Sequence, residues 1–179
     1  MRRLIGLLII ACEIAFWIFV LAGLLARYAF NRKKLGAILL FCTPIVDLFL
    51  LVATVIDLQH GGVANMFHGL AAVYIGVSVG FGKRMIKWAD EQFVYRFKKG
   101  EKPVKKKLYG KEHAQIERAG WYRHLLSWFV GSTLLAMIIF WIHDFSQTAK
   151  LFQTFLMWTI VLVIDFLISF SYTVFPKKG

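Results

Sequence analysis

Residues Leu151–Phe175 read LFQTFLMWTIVLVIDFLISFSYTVF, 25 residues in which Asp165 is the only charged side chain. A helix that crosses a bilayer core needs roughly 20 predominantly apolar residues. A barrel strand would show alternation over about ten residues, which this run lacks. Irregular backbone at that depth would leave its amides unpaired. The segment therefore predicts a membrane-spanning helix, and four more runs like it precede it. Leu4–Ala26 is interrupted only by Glu13, and Leu35–Leu58 carries Asp47 and Asp57. Val63–Phe81 is a third run, and Trp121–Ile142 is a fourth with Arg123 and His124 at its start. The predicted fold class is all-α. The chain reads as one transmembrane domain over 1–179, a polytopic bundle of about five spans, with a basic amphipathic connection, 83–120, between spans three and four.

Composition agrees. The chain has 179 residues, 59% hydrophobic and 18% charged, with 17 Phe. A soluble domain is nearer half apolar and a quarter charged. The block pattern excludes disorder, a coiled coil and a disulfide scaffold. Cys12 and Cys42 lie inside apolar runs without CxxC or Cys/His spacing, and read as small hydrophobes. Ile9-Ile10-Ala11-Cys12 resembles a lipoprotein cleavage box, but Ile14–Ala26 stays too apolar for a lipoprotein linker, which favours an ordinary first helix.

The formal net charge is +12. The basic residues cluster beside apolar blocks, which points to anionic lipid and away from nucleic acid. Their distribution also sets orientation. Arg27, Arg32, Lys33 and Lys34 occupy the first connection, and twelve Lys or Arg occupy Lys83–Gly120. The second connection, Gln59–Gly62, has none, and His143–Lys150 has only Lys150. The expectation is a plasma-membrane protein with its N-terminus outside and its C-terminus cytoplasmic. A reentrant first span is the alternative, since Arg2 and Arg3 oppose this orientation.

The intramembrane carboxyls are Glu13, Asp47 and Asp165, with no Lys or Arg at their depth. A charged carboxyl at the bilayer centre costs about 2.5–3.5 kcal/mol on insertion scales. These groups serve either as proton or ion sites or as packing bonds. Thr43, Asp47, Thr54 and Asp57 share a stripe about 80° wide, and Thr154, Asp165, Ser169 and Tyr172 one about 60° wide. Gly120, His124, Ser127 and Gly131 form a third stripe. Pro44 removes the amide that would bond the Leu40 carbonyl and predicts a kink. Gly69, Gly76 and Gly80 form a helix-packing face.

Asp57, His60, His68, His143 and Asp144 all approach the outer boundary. They form either a wet polar rim or a divalent-metal site; no cofactor is otherwise expected. In the long connection, Ile86, Ala89, Phe93 and Phe97 recur at helical spacing among basic residues, as in an interfacial helix. Lys98, Lys99, Lys102, Lys105, Lys106 and Lys107 then form a lipid-binding run. Gly110–Gly120 reads as a polar helix whose Lys111, Glu112, Glu117 and Arg118 form a solvated, charge-paired face. A metal or base site at His113, Glu117 and His124 is the alternative.

The stretches Cys42-Thr-Pro-Ile-Val-Asp47, Asp57-Leu-Gln-His60, His68-Gly-Leu-Ala-Ala-Val-Tyr-Ile-Gly76 and Lys87-Trp-Ala-Asp90 resemble a group of small uncharacterised integral membrane proteins of Gram-positive bacteria. The resemblance implies a plasma-membrane protein of few helices and transfers no activity. Three functions fit the sequence. The leading one is a non-enzymatic membrane protein that associates with itself or a membrane partner and binds anionic lipid. The second is a small proton- or cation-coupled carrier using the intramembrane carboxyls, expected to be oligomeric in that role because five helices are few. The third is a metal-dependent membrane enzyme; it lacks any nucleophile–base motif, paired-His motif or phosphate loop.

Overall fold

The computed structural model describes residues 2–97 and 108–177. Five helices make up almost all of it: α1 (Arg2–Tyr28), α2 (Lys33–Gln59), α3 (Met66–Phe97), α4 (Gly110–Ile142) and α5 (Phe145–Val174). No strand occurs among the described residues. The shortest helices have 27 residues, roughly 40 Å at 1.5 Å per residue, against a hydrocarbon core of about 30 Å. All five are long and apolar enough to cross a membrane. Phe41, Phe49, Phe140, Leu167 and Ile160 are each more than half exposed. Contiguous apolar surface of this extent would aggregate in water and is satisfied by acyl chains. The chain is a multi-pass helical membrane protein.

The expected third span ends at Phe81 and the expected interfacial helix continues it, so that α3 runs unbroken to Phe97. No residue between them stops a helix outright, so hydrogen bonding propagates into the basic segment. Ile86, Ala89 and Phe93 are half-buried there, while Lys83, Arg84 and Lys87 are exposed. At the other end, Val63 lies before α3, because Asn65 caps it. The Asn65 carboxamide oxygen accepts the His68 amide, 3.2 Å, and the Asn65 amide donates back to His68 Nδ1, 3.2 Å. This is a capping box with imidazole in the usual Glu place. The lipid-binding run Lys98, Lys99, Lys102, Lys105, Lys106 and Lys107 lies outside the described residues.

Short connections join α1 to α2 and α4 to α5. Each contains a residue in left-handed conformation, Asn31 (φ 56) and His143 (φ 54). Asn tolerates this region better than most residues. Within α2, Pro44 leaves the Leu40 carbonyl without its amide partner, and the Thr43 hydroxyl donates to that same carbonyl at 2.8 Å. A side chain thus repairs the gap, and α2 stays one helix.

The described residues pack as two compact units. The first comprises Met1–Ile75 and Val130–Phe155, and the second Gly76–Phe129 and Leu156–Gly179. Helices α3, α4 and α5 contribute to both. In the first unit, Leu50, Leu51, Leu58, Ala71, Ala72, Leu135 and Leu151 form the core. There α1 crosses α2 at Gly23 and Gly36, whose backbones approach so closely that a Cβ on Gly36 would stand 2.7 Å from the Gly23 carbonyl oxygen. Gly69 lies directly against Thr154. In the second unit, Gly80 lies against Ser127 and the Arg123 carbonyl. Gly76 is buried.

Candidate functional site

In the first unit, α1, α2 and α3 line a half-open cavity of about 160 Å³. Glu13 enters from α1, Asp47 from α2, and Phe67, Leu70, Ala71 and Tyr74 from α3. Phe16 and Trp17 complete an aromatic wall, in which the Phe16 ring stacks on Tyr74 with centroids 5.5 Å apart. Asp47 sits near the middle of α2 and is 4% exposed. Among the described residues, no hydrogen-bond donor meets the carboxyl of Asp47 or Glu13, and no Lys, Arg or His lines the cavity. Cys12 stands within electrostatic reach of Asp47.

The other polar members of the α2 stripe are spent locally. Thr54 donates to the Leu50 carbonyl at 2.8 Å, as Thr43 does to Leu40. Asp47 has no such outlet. A cavity of this volume accommodates water, and its lining side chains offer two carboxyls, the Tyr74 phenol and the Trp17 indole N–H. Oxygen donors of this kind suit protons and hard cations.

Asp165 has different company, in the second unit. His124 Nδ1 lies 2.8 Å from Asp165 Oδ2, and the Trp158 indole Nε1–H donates to His124 Nε2 at 3.1 Å. An indole nitrogen can only donate, so Nε2 must be the unprotonated nitrogen. The proton of a neutral imidazole then sits on Nδ1 and is donated to Asp165. Ser169 adds a longer bond to Asp165 Oδ1, 3.4 Å. Trp158 fixes the ring, and His124 satisfies a carboxyl that would otherwise stand bare in the membrane. Sequence reasoning placed His124 and Asp165 on separate stripes and missed that they meet.

The outer residues take separate roles. His60 donates Nδ1–H to the Ile56 carbonyl, 2.7 Å, and is exposed. His68 is 3% exposed, with Nδ1 engaged by Asn65 and Nε2 buried without a partner. Asp57 lies close enough to His68 to act on it electrostatically, and the Gly62 backbone packs against its carboxylate. His143 contacts the Trp141 carbonyl, 3.2 Å. Asp144 caps α5: Oδ1 accepts from the Ser146 amide and hydroxyl, 2.8 and 2.6 Å, and Oδ2 from the Gln147 side chain, 3.0 Å. These bonds, the Ser146 hydroxyl first, hold the Asp144 carboxyl below the usual carboxylate range. Among the described residues, no three His, Cys, Asp or Glu stand together as metal ligands.

Near the start of α4, Glu117 pairs with His113, 3.8 Å, rather than with a Lys or Arg. His124 turns away to Asp165. Arg118 reaches across to α5 and donates to the Thr173 hydroxyl at 2.7 Å. Neither Arg118 nor Lys111 has a carboxylate partner among the described residues, so the expected charge-paired face is only partly formed.

A Bacillus subtilis (strain 168) protein named "Uncharacterized membrane protein YmcC" is 48% identical to this chain over 175 residues. The match covers 97% of this chain and 94% of the relative. The chain belongs to the YmcC family of membrane proteins. No family model matches it, and no solved structure does. The resemblance to small Gram-positive membrane proteins is thereby borne out. Because the YmcC match runs nearly end to end, it spans both compact units and all five helices. The relative's name carries membrane residence and no reaction.

Proposed function

We propose that this YmcC-family protein binds a proton or a small hard cation on Asp47 and Glu13, as the coupling site of a small carrier. The observation that carries the reading is the Asp47 carboxyl. It is buried in the middle of a membrane helix, faces a cavity shared with a second carboxyl, and has no basic residue beside it. A packing role would be served at lower desolvation cost by a hydroxyl. An unpaired carboxyl retained at mid-membrane requires a proton, water or a cation to neutralise it. Glu13 brings a second carboxyl to the lining of the same pocket, where it could share a bound proton or cation with Asp47.

In this reading the N-terminus lies outside and the C-terminus in the cytoplasm of a plasma-membrane protein, as the Lys and Arg distribution supports. The Lys83–Gly120 connection then faces anionic inner-leaflet lipid, where each exposed basic residue contributes about 1 kcal/mol. Helix association with a second copy would complete the walls of a pathway.

The test is flux into vesicles reconstituted with the full chain, read with an internal pH indicator under imposed H⁺, Na⁺ and K⁺ gradients. Wild-type protein should dissipate one of these gradients, Asp47→Asn should abolish the flux, and Glu13→Gln should reduce it. A protonated carboxyl and an amide are close in shape, so the Asn variant should melt like wild type. Wild-type vesicles as tight as protein-free ones, with no cation- or pH-dependent carboxyl band in infrared difference spectra, would leave the association-and-lipid reading in its place.

A further inference from the structure

The second unit holds a cavity with the opposite chemistry, of about 250 Å³. One wall is a single face of α4, with Lys111, Ala114, Gln115 and Arg118 at helical spacing. The other is the last turn of α5 and its exit, Tyr172, Thr173 and Pro176. No acidic residue lines it. The Arg118–Thr173 hydrogen bond ties the guanidinium to the wall while using one of its five donors. Lys111 supplies a second cation, and Gln115, Tyr172 and Thr173 supply neutral polar groups. The Gly110 amide donates to the Lys177 carbonyl, 3.0 Å, which fastens the chain beyond α5 to the start of α4.

Depth matters as much as charge. The cavity sits where α4 and α5 leave their most apolar stretches. Trp121, one turn deeper, packs edge-on against Phe166 and Phe170 and donates to the Leu162 carbonyl, 3.3 Å. Tryptophan concentrates at the boundary between acyl chains and headgroups. Two cations just beyond such a residue lie at the height of lipid phosphates. Arginine offers paired donors that match two phosphate oxygens at once.

We propose that this cavity is a discrete binding site for the phosphate of an anionic phospholipid, held by Arg118 and Lys111 with Thr173 positioning the guanidinium. It is separate from the diffuse attraction of the basic connection and independent of the carboxyl cavity. Free phosphate presents the same chemistry, and the experiment separates the two sources. The full chain, purified in mild detergent, is examined by native mass spectrometry with added phosphatidylglycerol, with phosphatidylcholine, and with inorganic phosphate alone. One phosphatidylglycerol should be retained saturably by wild type, and phosphatidylcholine should not compete for it. Arg118→Gln and Lys111→Gln should each weaken retention about tenfold, the loss of one charge-assisted hydrogen bond. Arg84→Gln, which removes the same charge outside the cavity, should leave it unchanged. Lys111→Gln keeps the Arg118–Thr173 bond, so its loss of lipid cannot be ascribed to a broken helix contact. Equal losses in all three variants would overturn the site in favour of bulk charge. Displacement of the lipid by inorganic phosphate at comparable concentration would overturn the lipid assignment.

Discussion

Replacing Gly36 by alanine should loosen the α1–α2 crossing measurably. The new Cβ would lie 2.7 Å from the Gly23 carbonyl oxygen, 2.7 Å from Arg27 Cβ and 3.0 Å from the Arg27 amide nitrogen. Ordinary contact begins near 3.4 Å, so the helices must part by about 0.7 Å, the difference between 3.4 and 2.7 Å. Backbone atoms cannot rotate aside as a side-chain tip can. A gap of that size forfeits about a quarter to a half of each dispersion contact across the crossing. Overpacking of this kind costs about 1–3 kcal/mol. Helix propensity offsets about 0.8–1 kcal/mol, since alanine is favoured over glycine. The expected net is a destabilisation of about 1 kcal/mol. Gly23→Ala should be milder, because its two nearest neighbours are Leu40 side-chain atoms, which can shift. Gly82→Ala meets nothing within 4 Å and should melt at or above wild type. The assay is built into the chain: its two cysteines, Cys12 and Cys42, are half-buried on the two crossing helices, so a thiol-reactive dye reports their exposure on heating. The expected order of midpoints is Gly82→Ala, then wild type, Gly23→Ala and Gly36→Ala. A Gly36→Ala protein that melts with the Gly82→Ala control refutes the close crossing.

Two further outcomes follow from the hydrogen-bond geometry. Trp158→Phe strips the donor from His124 Nε2 and should cost about 0.6 kcal/mol, up to about 1.7, in thermal stability; a variant that melts like wild type would show that the indole does not hold the ring. Asp144→Ala should lower the melting midpoint at neutral pH by uncapping α5. The depressed carboxyl contributes stability above its ordinary value of about 3.9 and loses it as pH falls through the folded-state value, so wild type should lose stability on acidification where Asp144→Ala does not, and parallel acid profiles would contradict the cap.

The spans were legible because a bilayer demands long apolar runs and the chain has five. Pairings between helices were harder, since helical phase tells which face a residue occupies and not which residue it faces. Hairpin register supplies the missing coordinate. Glu13 and Asp47 lie 17 residues before and 17 after Phe30, in the turn between α1 and α2. In an antiparallel hairpin they stand level, and they line one cavity. His124 and Asp165 lie 20 residues before and 21 after Asp144, in the turn between α4 and α5, and they bond. The basic cavity escaped notice for another reason. Arg118 was read against acidic residues on its own helix, where local spacing is visible, whereas its partner Thr173 is 55 residues away. The length of α3 was legible as well: hydropathy falls at Phe81, but Ile86, Ala89 and Phe93 keep helical spacing beyond it, and the backbone follows that spacing to Phe97.

The repair of α2 at Pro44 has a mechanical consequence. Every other rung of a helix is an amide bond whose geometry the chain itself enforces. At Leu40 the rung is a hydroxyl that can swing about a single bond. On one side of that rung lies the segment clamped to α1 through Gly36, and on the other the segment bearing Asp47. Rotation of one threonine therefore slackens the link between two separately packed arms, the second held in the core by Leu50, Leu51 and Leu58, making a joint where a uniform helix would transmit bending as a rigid rod.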